Sequence, residues 1–264
     1  VRDTIRNSGN LEWMLRAKVY FAFLFCYNLG MQQYFSNKKE EDKLFFNEED
    51  YHHIKNVMRI KPGNEVIVNY DGISYLCEML SDLKSASIKS IYKSLGDNTF
   101  IRAYIPVLND EKMSFIIEKG TEMGVSEFIP VQYERCKFSI NKDKVNKKLE
   151  RYNKIAKEAS EQARRLVIPE VKNIINVKDI LSDSCVNMVC SLDKENVKSI
   201  NKVLTSSNVC GTISIAFGPE GGLSKKEEDF LEDIGFIKTS LGDNVLRTET
   251  VIINVCSIIN YLKG

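Results

Sequence analysis

Ile213-Ser-Ile-Ala-Phe-Gly-Pro-Glu-Gly-Gly-Leu223 and the later Leu241-Gly-Asp-Asn-Val-Leu-Arg-Thr-Glu-Thr250 decide how this chain folds. Each reads as an apolar strand leading into a glycine-containing turn and then a helix start. Two such units place their loops near each other at the carboxyl edge of one sheet, the edge where open α/β sheets bind ligands.

In the first unit Ile213, Ile215 and Phe217 suit a buried strand. Gly218, Gly221 and Gly222 permit backbone angles and approaches that a Cβ would block, and Pro219 fixes one φ between them. Ser224 and Glu227 have the spacing of a capping box, with Phe230, Leu231 and Ile234 as an apolar stripe behind a charged face. Glu227 and Glu228 thus serve the helix rather than chemistry. The loop lacks the Gly-Lys-Ser/Thr ending of a P-loop and the Gly-x-Gly-x-x-Gly spacing of a dinucleotide fingerprint, which argues against an ATPase and a dehydrogenase. A loop offering only backbone N–H and C=O suits the edge of an adenine or a ribose.

The 264 residues exceed one typical domain, and 43% hydrophobic with 28% charged residues is ordinary for a protein with a real core. The formal net charge of +1 excludes nothing by itself. Seven cysteines, at 26, 77, 136, 185, 190, 210 and 256, include no Cys-x-x-Cys pair, so neither a disulfide framework nor a zinc or other metal site is expected. They fit a reducing cytoplasm. The apolar run over 19–27 is far shorter than the roughly twenty residues of a membrane span. It imitates a signal-peptide core, but no small-residue cleavage site follows. Residues 1–30 are expected to be a non-family extension read from an upstream start codon, poorly ordered or loosely helical.

From 31 to 99 short strands alternate with turns. Lys61-Pro-Gly-Asn64 precedes one strand, and Asp71-Gly72 is a tight hairpin signal between two. With a short helix over 48–57, this pattern suggests a small β-barrel. From about 100 the rhythm becomes strand and helix: strands over 101–108, 128–133 and 186–192, helices over 112–123 and 144–165. The expected class is α/β, a mostly parallel sheet covered by helices. The last helix, over 248–262, is apolar nearly all round and must be buried by the sheet or by a second subunit. Between 137 and 165 ten basic residues face four acidic ones. That excess reads either as a strip for nucleic-acid phosphates or as the solvated face of a helix whose buried stripe is Val145, Leu149, Tyr152, Ile155, Ala156 and Ala159.

The chain resembles the RsmE-type ribosomal RNA uracil-N(3)-methyltransferases of the SPOUT class, which carry Gly-Pro-Glu-Gly-Gly and a later Leu-Gly-x-x-Ile-Leu-Arg-Thr-Glu-Thr. The likeness includes Met31-Gln-Gln-Tyr-Phe35, His53-Ile-x-x-Val-Met-Arg59, Lys119-Gly-Thr-Glu-Met-Gly-Val125, Glu134-Arg-Cys136 and Glu158-Ala-Ser-Glu-Gln-Ala-Arg-Arg165, in family order. The resemblance implies a PUA-like RNA-binding barrel over 31–99 and a SPOUT domain over 100–264. It further implies a trefoil knot, a homodimer, S-adenosylmethionine as cofactor, and 16S ribosomal RNA of the 30S subunit as partner. For the cofactor it implies Leu192, Gly218, Pro219, Glu220, Gly221, Gly222, Leu241, Gly242, Val245, Leu246 and Arg247. For RNA it implies His53, Arg59, Arg135, Gln162, Arg164 and Arg165. Ala163-Arg164 departs from the family, which commonly has Ser/Cys-Gly there, so a glycine is lost and a charge gained near the implied RNA face.

Methyl transfer from a sulfonium needs two positioned reactants, and the imide nitrogen of uracil must also lose a proton. Arg247 and Glu249, inside the second motif and at a helix start, are the best-placed pair. Arg165 is a further catalytic candidate. Each also has a structural reading: an ion pair, helix-start electrostatics for Glu249, a packed helix residue for His53. A SPOUT enzyme acting on a ribose or base of transfer RNA, and a non-catalytic RNA-binding protein, remain as alternatives.

Overall fold

The computed structural model describes residues 31–94, 99–139, 145–193, 197–206 and 211–263. The extension expected over 1–30 lies outside them. The chain divides into two compact units, Val1–Ser94 and Leu95–Gly264.

The first unit holds β1 (Gln33–Phe35), β2 (Lys38–Glu40), β3 (Lys43–Phe45), α1 (Glu48–His52), β4 (Glu65–Tyr70), β5 (Ile73–Met79) and β6 (Ser85–Ser94). Its sheet runs β1-β4-β5-β6-β3-β2. Only the β1–β4 pair is parallel. Ser36, between the two edge strands, donates its N–H to Asn69 O at 2.9 Å and brings its hydroxyl within 2.7 Å of Phe45 O, so one residue ties both edges and curls the sheet. The hairpin expected at Asp71-Gly72 forms with φ of 48° and 72°, the double positive φ of a type I′ turn. The helix expected over 48–57 is instead α-helical only to His52 and continues as a π-helical turn, His53–Val57, where Met58 N–H reaches His53 O at 2.9 Å. Tyr34, Leu44, Ile54, Val66, Val68 and Met79 pack the interior.

The second unit contains β7 (Phe100–Pro106), α2 (Asp110–Glu122), β8 (Glu127–Gln132), α3 (Val145–Gln162), β9 (Glu170–Val171), β10 (Ile175–Asn176), β11 (Val186–Cys190), β12 (Lys198–Ser199), α4 (Ile200–Ser206), β13 (Thr212–Phe217), α5 (Lys225–Asp233), β14 (Ile237–Ser240) and α6 (Thr248–Lys263). The strand order is β10-β8-β7-β13-β11-β14-β12, with β9 also on β8, and every pair is parallel. This is the expected α/β class. Alternate residues of each strand face opposite sides. Ile101, Ile105, Met188, Ile213, Ile215 and Phe217 pack with α2, α3, α4 and α6. Tyr104, Val189 and Ala216 pack on the other side with Leu231 of α5 and Phe236. The last helix buries Val251, Ile252, Val255, Cys256 and Ile259 in the larger cluster, while Ile253 and Ile258 are half-buried and Tyr261 is 84% exposed.

Three helices end alike. At α2, Gly124 N–H bonds Thr121 O and Val125 N–H bonds Gly120 O; at α5, Gly235 and Phe236 repeat the pattern on Glu232 O and Leu231 O. At α3, Arg164 N–H bonds Glu161 O and Arg165 N–H bonds Ser160 O. This is the Schellman ending, whose penultimate residue is left-handed. Gly124 and Gly235 have φ of 101° and 100°, and Arg164 takes 52° where the resemblance calls for glycine.

Candidate cofactor site

Three strands deliver the candidate loops. β13 and β14 are not neighbours: β11 lies between them, with Cys190 opposite both Phe217 and Thr239. The glycine loop after β13, Ser191-Leu192 after β11 and the second motif after β14 therefore stand side by side at one carboxyl edge. Thr248 Oγ1, 3.4 Å from Gly218 O, links the start of α6 to the glycine loop. Ser191 N–H donates to Thr239 O at 3.1 Å and its hydroxyl to Glu228 Oε1 at 2.8 Å, fixing the backbone just before Leu192. Glu228 thus braces a loop, and Glu227 closes the capping box expected with Ser224 while also accepting Glu134 N–H at 2.7 Å.

The glycines have separate reasons. A Cβ on Gly218 would come within 2.8 Å of Gly222 C and Leu223 N, so the loop can fold on itself only because that atom is missing. Gly222, at φ 70°, donates its N–H to Pro219 O at 2.8 Å and closes the turn. Gly222 and Gly242 each have no heavy atom within 4 Å of where a Cβ would stand, so both loops present bare backbone to open space. Leu192 and Val245 add apolar surface there, 63% and 75% exposed. Leu241 and Leu246 instead pack against the core below. Bare backbone flanked by exposed aliphatic side chains fits a purine nucleoside: edges to hydrogen-bond, faces to cover.

The charged groups are less evenly gathered. Arg135, expected to hold RNA, donates from Nη1 to Gly221 O at 3.0 Å and to Leu223 O at 3.1 Å, and so braces the glycine loop from outside. Arg247 is exposed at the entrance to α6. Glu249 turns inward, its Oε2 buried without a hydrogen-bond donor among the described residues. That oxygen lies 3.6 Å from Lys112 Nζ, which is also 2.7 Å from Glu220 Oε1. The Lys112 hydrogen bond holds the Glu220 carboxyl below its usual range, and the same bond raises Lys112. No local pattern marks Lys112, which belongs to a helix 108 residues before Glu220.

Arg165 does not join this group within the chain. Lys112 of α2 lies beside Glu249 of α6, and Met123 O accepts from Asn260 Nδ2 at 2.9 Å, so the two helices run parallel. Arg165 donates to Thr121 O and Val125 O at the far end of α2, about 14 Å along at 1.5 Å per residue. Burial pushes its guanidinium down to about 10. Gln162 is exposed at the end of α3, and Arg164 follows it half-buried.

Part of the basic strip is engaged internally: Lys148 Nζ bonds Asp110 Oδ1 at 2.6 Å, and Arg151 Nη1 lies 3.8 Å from Asp110 Oδ2. Lys142 and Lys144 of that strip lie outside the described residues. In the barrel, His53 Nδ1 lies 3.3 Å from Tyr34 OH with the rings edge-on at 5.9 Å, which is the packed reading of that histidine. Arg59 is exposed at φ 52°. Among the described residues no cluster of His, Cys, Asp or Glu is arranged to hold a metal, and no helix is long and apolar enough to cross a membrane.

A parallel sheet with three loops converging on one edge, joined in sequence to a curled β unit, matches the two-domain organisation of the RNA methyltransferases. The family model for the RNA methyltransferase domain matches residues 97–260, and that for the RNA methyltransferase PUA domain matches 46–89. The chain belongs to the ribosomal RNA small subunit methyltransferase E family. It is 33% identical over 247 residues to that protein of Bacillus subtilis (strain 168), covering 88% of this chain and 96% of the relative. To the Aquifex aeolicus protein it is 31% identical over 234 residues, covering 87% and 99%. Two solved structures share the fold. A Legionella pneumophila methyltransferase with bound SAM has a TM-score of 0.76 at 23% identity, covering 88% of this chain and 98% of that one. The Neisseria gonorrhoeae ribosomal RNA small subunit methyltransferase E bound to S-adenosyl methionine gives 0.75 at 22%, with the same coverage.

Proposed function

We propose that this protein transfers the methyl group of S-adenosylmethionine to the N(3) nitrogen of one uridine in 16S ribosomal RNA of the small subunit, as a cytoplasmic homodimer. The observation that carries the reading is the convergence of three loops on one sheet edge, two of them with open glycine backbone and two with exposed aliphatic side chains. The names of the relatives supply the substrate class, and the bound ligand in two structures of this fold supplies the cofactor. The part-exposed side of α6, with Ile253, Ile258 and Tyr261, supports a second copy as its cover. The trefoil knot rests on family membership alone. Residues 31–99 are proposed to grip RNA and 100–264 to hold the reactants.

The residues fit the cofactor. Gly218–Gly222 and Leu241–Leu246 would receive its adenosine, with Leu192 and Val245 covering the ring. When bound, S-adenosylmethionine supplies a methyl carbon on a cationic sulfur that leaves as a neutral thioether. The chain's own work is to align the imide nitrogen behind that carbon and take its proton. Glu249, in the first turn of α6 beside the second loop, is the proposed acceptor through the carboxyl oxygen not turned toward Lys112. The N–H electron pair then forms the new N–C bond as the C–S pair passes to sulfur. Arg247, exposed two residues before Glu249, would face the negative charge that develops on the uracil carbonyl oxygens.

The test is incubation with labelled S-adenosylmethionine and small subunits from a strain lacking the modification, followed by nucleoside analysis. N(3)-methyluridine is the expected product. Another methylated nucleoside, or no incorporation, overturns the assignment.

A further inference from the structure

Lys112 is electrostatically misplaced as a helix residue. It is the third residue of α2, its N–H donating to the Asn109 cap at 2.9 Å, in the turn where the helix dipole favours anions. Two carboxylates account for it there: Glu220 from the glycine loop and Glu249 from the first turn of α6, at 2.7 and 3.6 Å. Both would otherwise repel each other across the gap between the loops. One ammonium between two carboxylates offsets their repulsion and holds both in place. The neighbouring cations are Lys137, which also acts on Glu220, Arg135, which bonds Gly221 O and Leu223 O and keeps its charge, and the exposed Arg247.

We propose that Lys112 is a positioning residue that holds Glu220 and Glu249 against the cofactor site and sets its preference for a cationic donor over the neutral thioether product. The inference rests on the cofactor reading above. S-adenosylmethionine and S-adenosylhomocysteine differ by one methyl group and one unit of charge. A change confined to packing therefore moves both affinities together. A change in local charge moves their ratio. The two carboxylates favour the cationic donor and Lys112 limits that preference, so the product, having lost its charge, is held less tightly after transfer.

The experiment is calorimetric titration of both ligands into the full chain and its variants, with a thermal melt of each. Lys112→Met, which leaves two carboxylates unbalanced, is expected to shift the affinity ratio about three- to tenfold toward the cation, after screening. Glu249→Gln, which removes a negative charge, shifts it the other way, and Lys112→Arg stays within about twofold of the parent protein. A folded Lys112→Met variant with the parental ratio overturns the proposal, as does a Glu249→Gln shift of the same sign. If Lys112→Met does not fold, Glu249→Gln and Lys112→Arg decide alone. Methyl incorporation into small subunits by the parent protein is run alongside. Ratios that shift without incorporation sink the ribosomal reading and support this one. Incorporation with fixed ratios does the reverse. A parent protein that binds neither ligand overturns both.

Discussion

Replacing Arg164 by glycine is expected to stabilise the second unit. Arg164 closes a Schellman ending with φ of 52°, while the same position at the ends of α2 and α5 is glycine with φ of 101° and 100°. A side chain in the left-handed region costs about 1 kcal/mol because Cβ crowds the following carbonyl. Glycine removes that crowding but adds freedom to the unfolded chain, so the net gain is about 0.5–1 kcal/mol. At roughly 2–4 °C per kcal/mol for a unit of this size, the melting temperature rises by about 1–4 °C. Urea titration of the parent and variant, with the slope unchanged, measures the gain directly. The reciprocal controls are Gly124→Ala and Gly235→Ala. Each loses stability by a similar amount, and Gly235→Ala loses more because its Cβ would stand 3.2 Å from Ser182 Oγ. A neutral or destabilised Arg164→Gly variant, with both controls behaving as expected, would refute the reasoning and assign the arginine side chain a packing role that outweighs its backbone strain.

Gly218→Ala puts a methyl group 2.8 Å from backbone atoms of Gly222 and Leu223, which have no cheap way to move. Overpacking of about 1–3 kcal/mol should weaken S-adenosylmethionine binding about fivefold or more by calorimetry, and unchanged affinity would remove the loop from the site. Asp110 has its carboxyl lowered from 3.8, first by the hydrogen bond from Lys148. A depressed carboxyl adds stability that is full above its unfolded value and is lost as pH falls through the folded one. Asp110→Asn should therefore show a shallower loss of stability as pH falls from about 5 through the lowered folded value, and an equal slope would deny the coupling. Burial pushes the thiols of Cys77, Cys190 and Cys256 up to about 12, while Cys185 is exposed. Brief iodoacetamide treatment at pH 8 with peptide mapping should label Cys185 and spare those three.

Features written in neighbouring residues were legible before the structure. The capping box at Ser224 and Glu227, the tight hairpin at Asp71-Gly72 and the apolar strand ending in Phe217 each depend on groups a few residues apart, and each formed where its chemistry required. The order of a parallel sheet has no such local record, because each crossover can return on either side of the strands already laid down. The two motif loops were thus expected to converge, but not that β11 would stand between their strands and bring Ser191-Leu192 into the same edge by its own register. β9, β10 and β12, two residues each, are strands only because longer neighbours offer them partners. Charged residues were the least legible. A side chain as long as arginine or lysine chooses its partner from everything within reach, and tertiary contact decides. Arg135 went to two carbonyls of the glycine loop and Arg165 to two at the far end of α2, and both work as scaffolding within the chain. Lys112, with nothing in its sequence surroundings to mark it, lies between the two carboxylates nearest the proposed chemistry. The glycines show where a ligand fits because backbone shape is local, whereas the charges that act on it are assembled from segments the sequence keeps far apart.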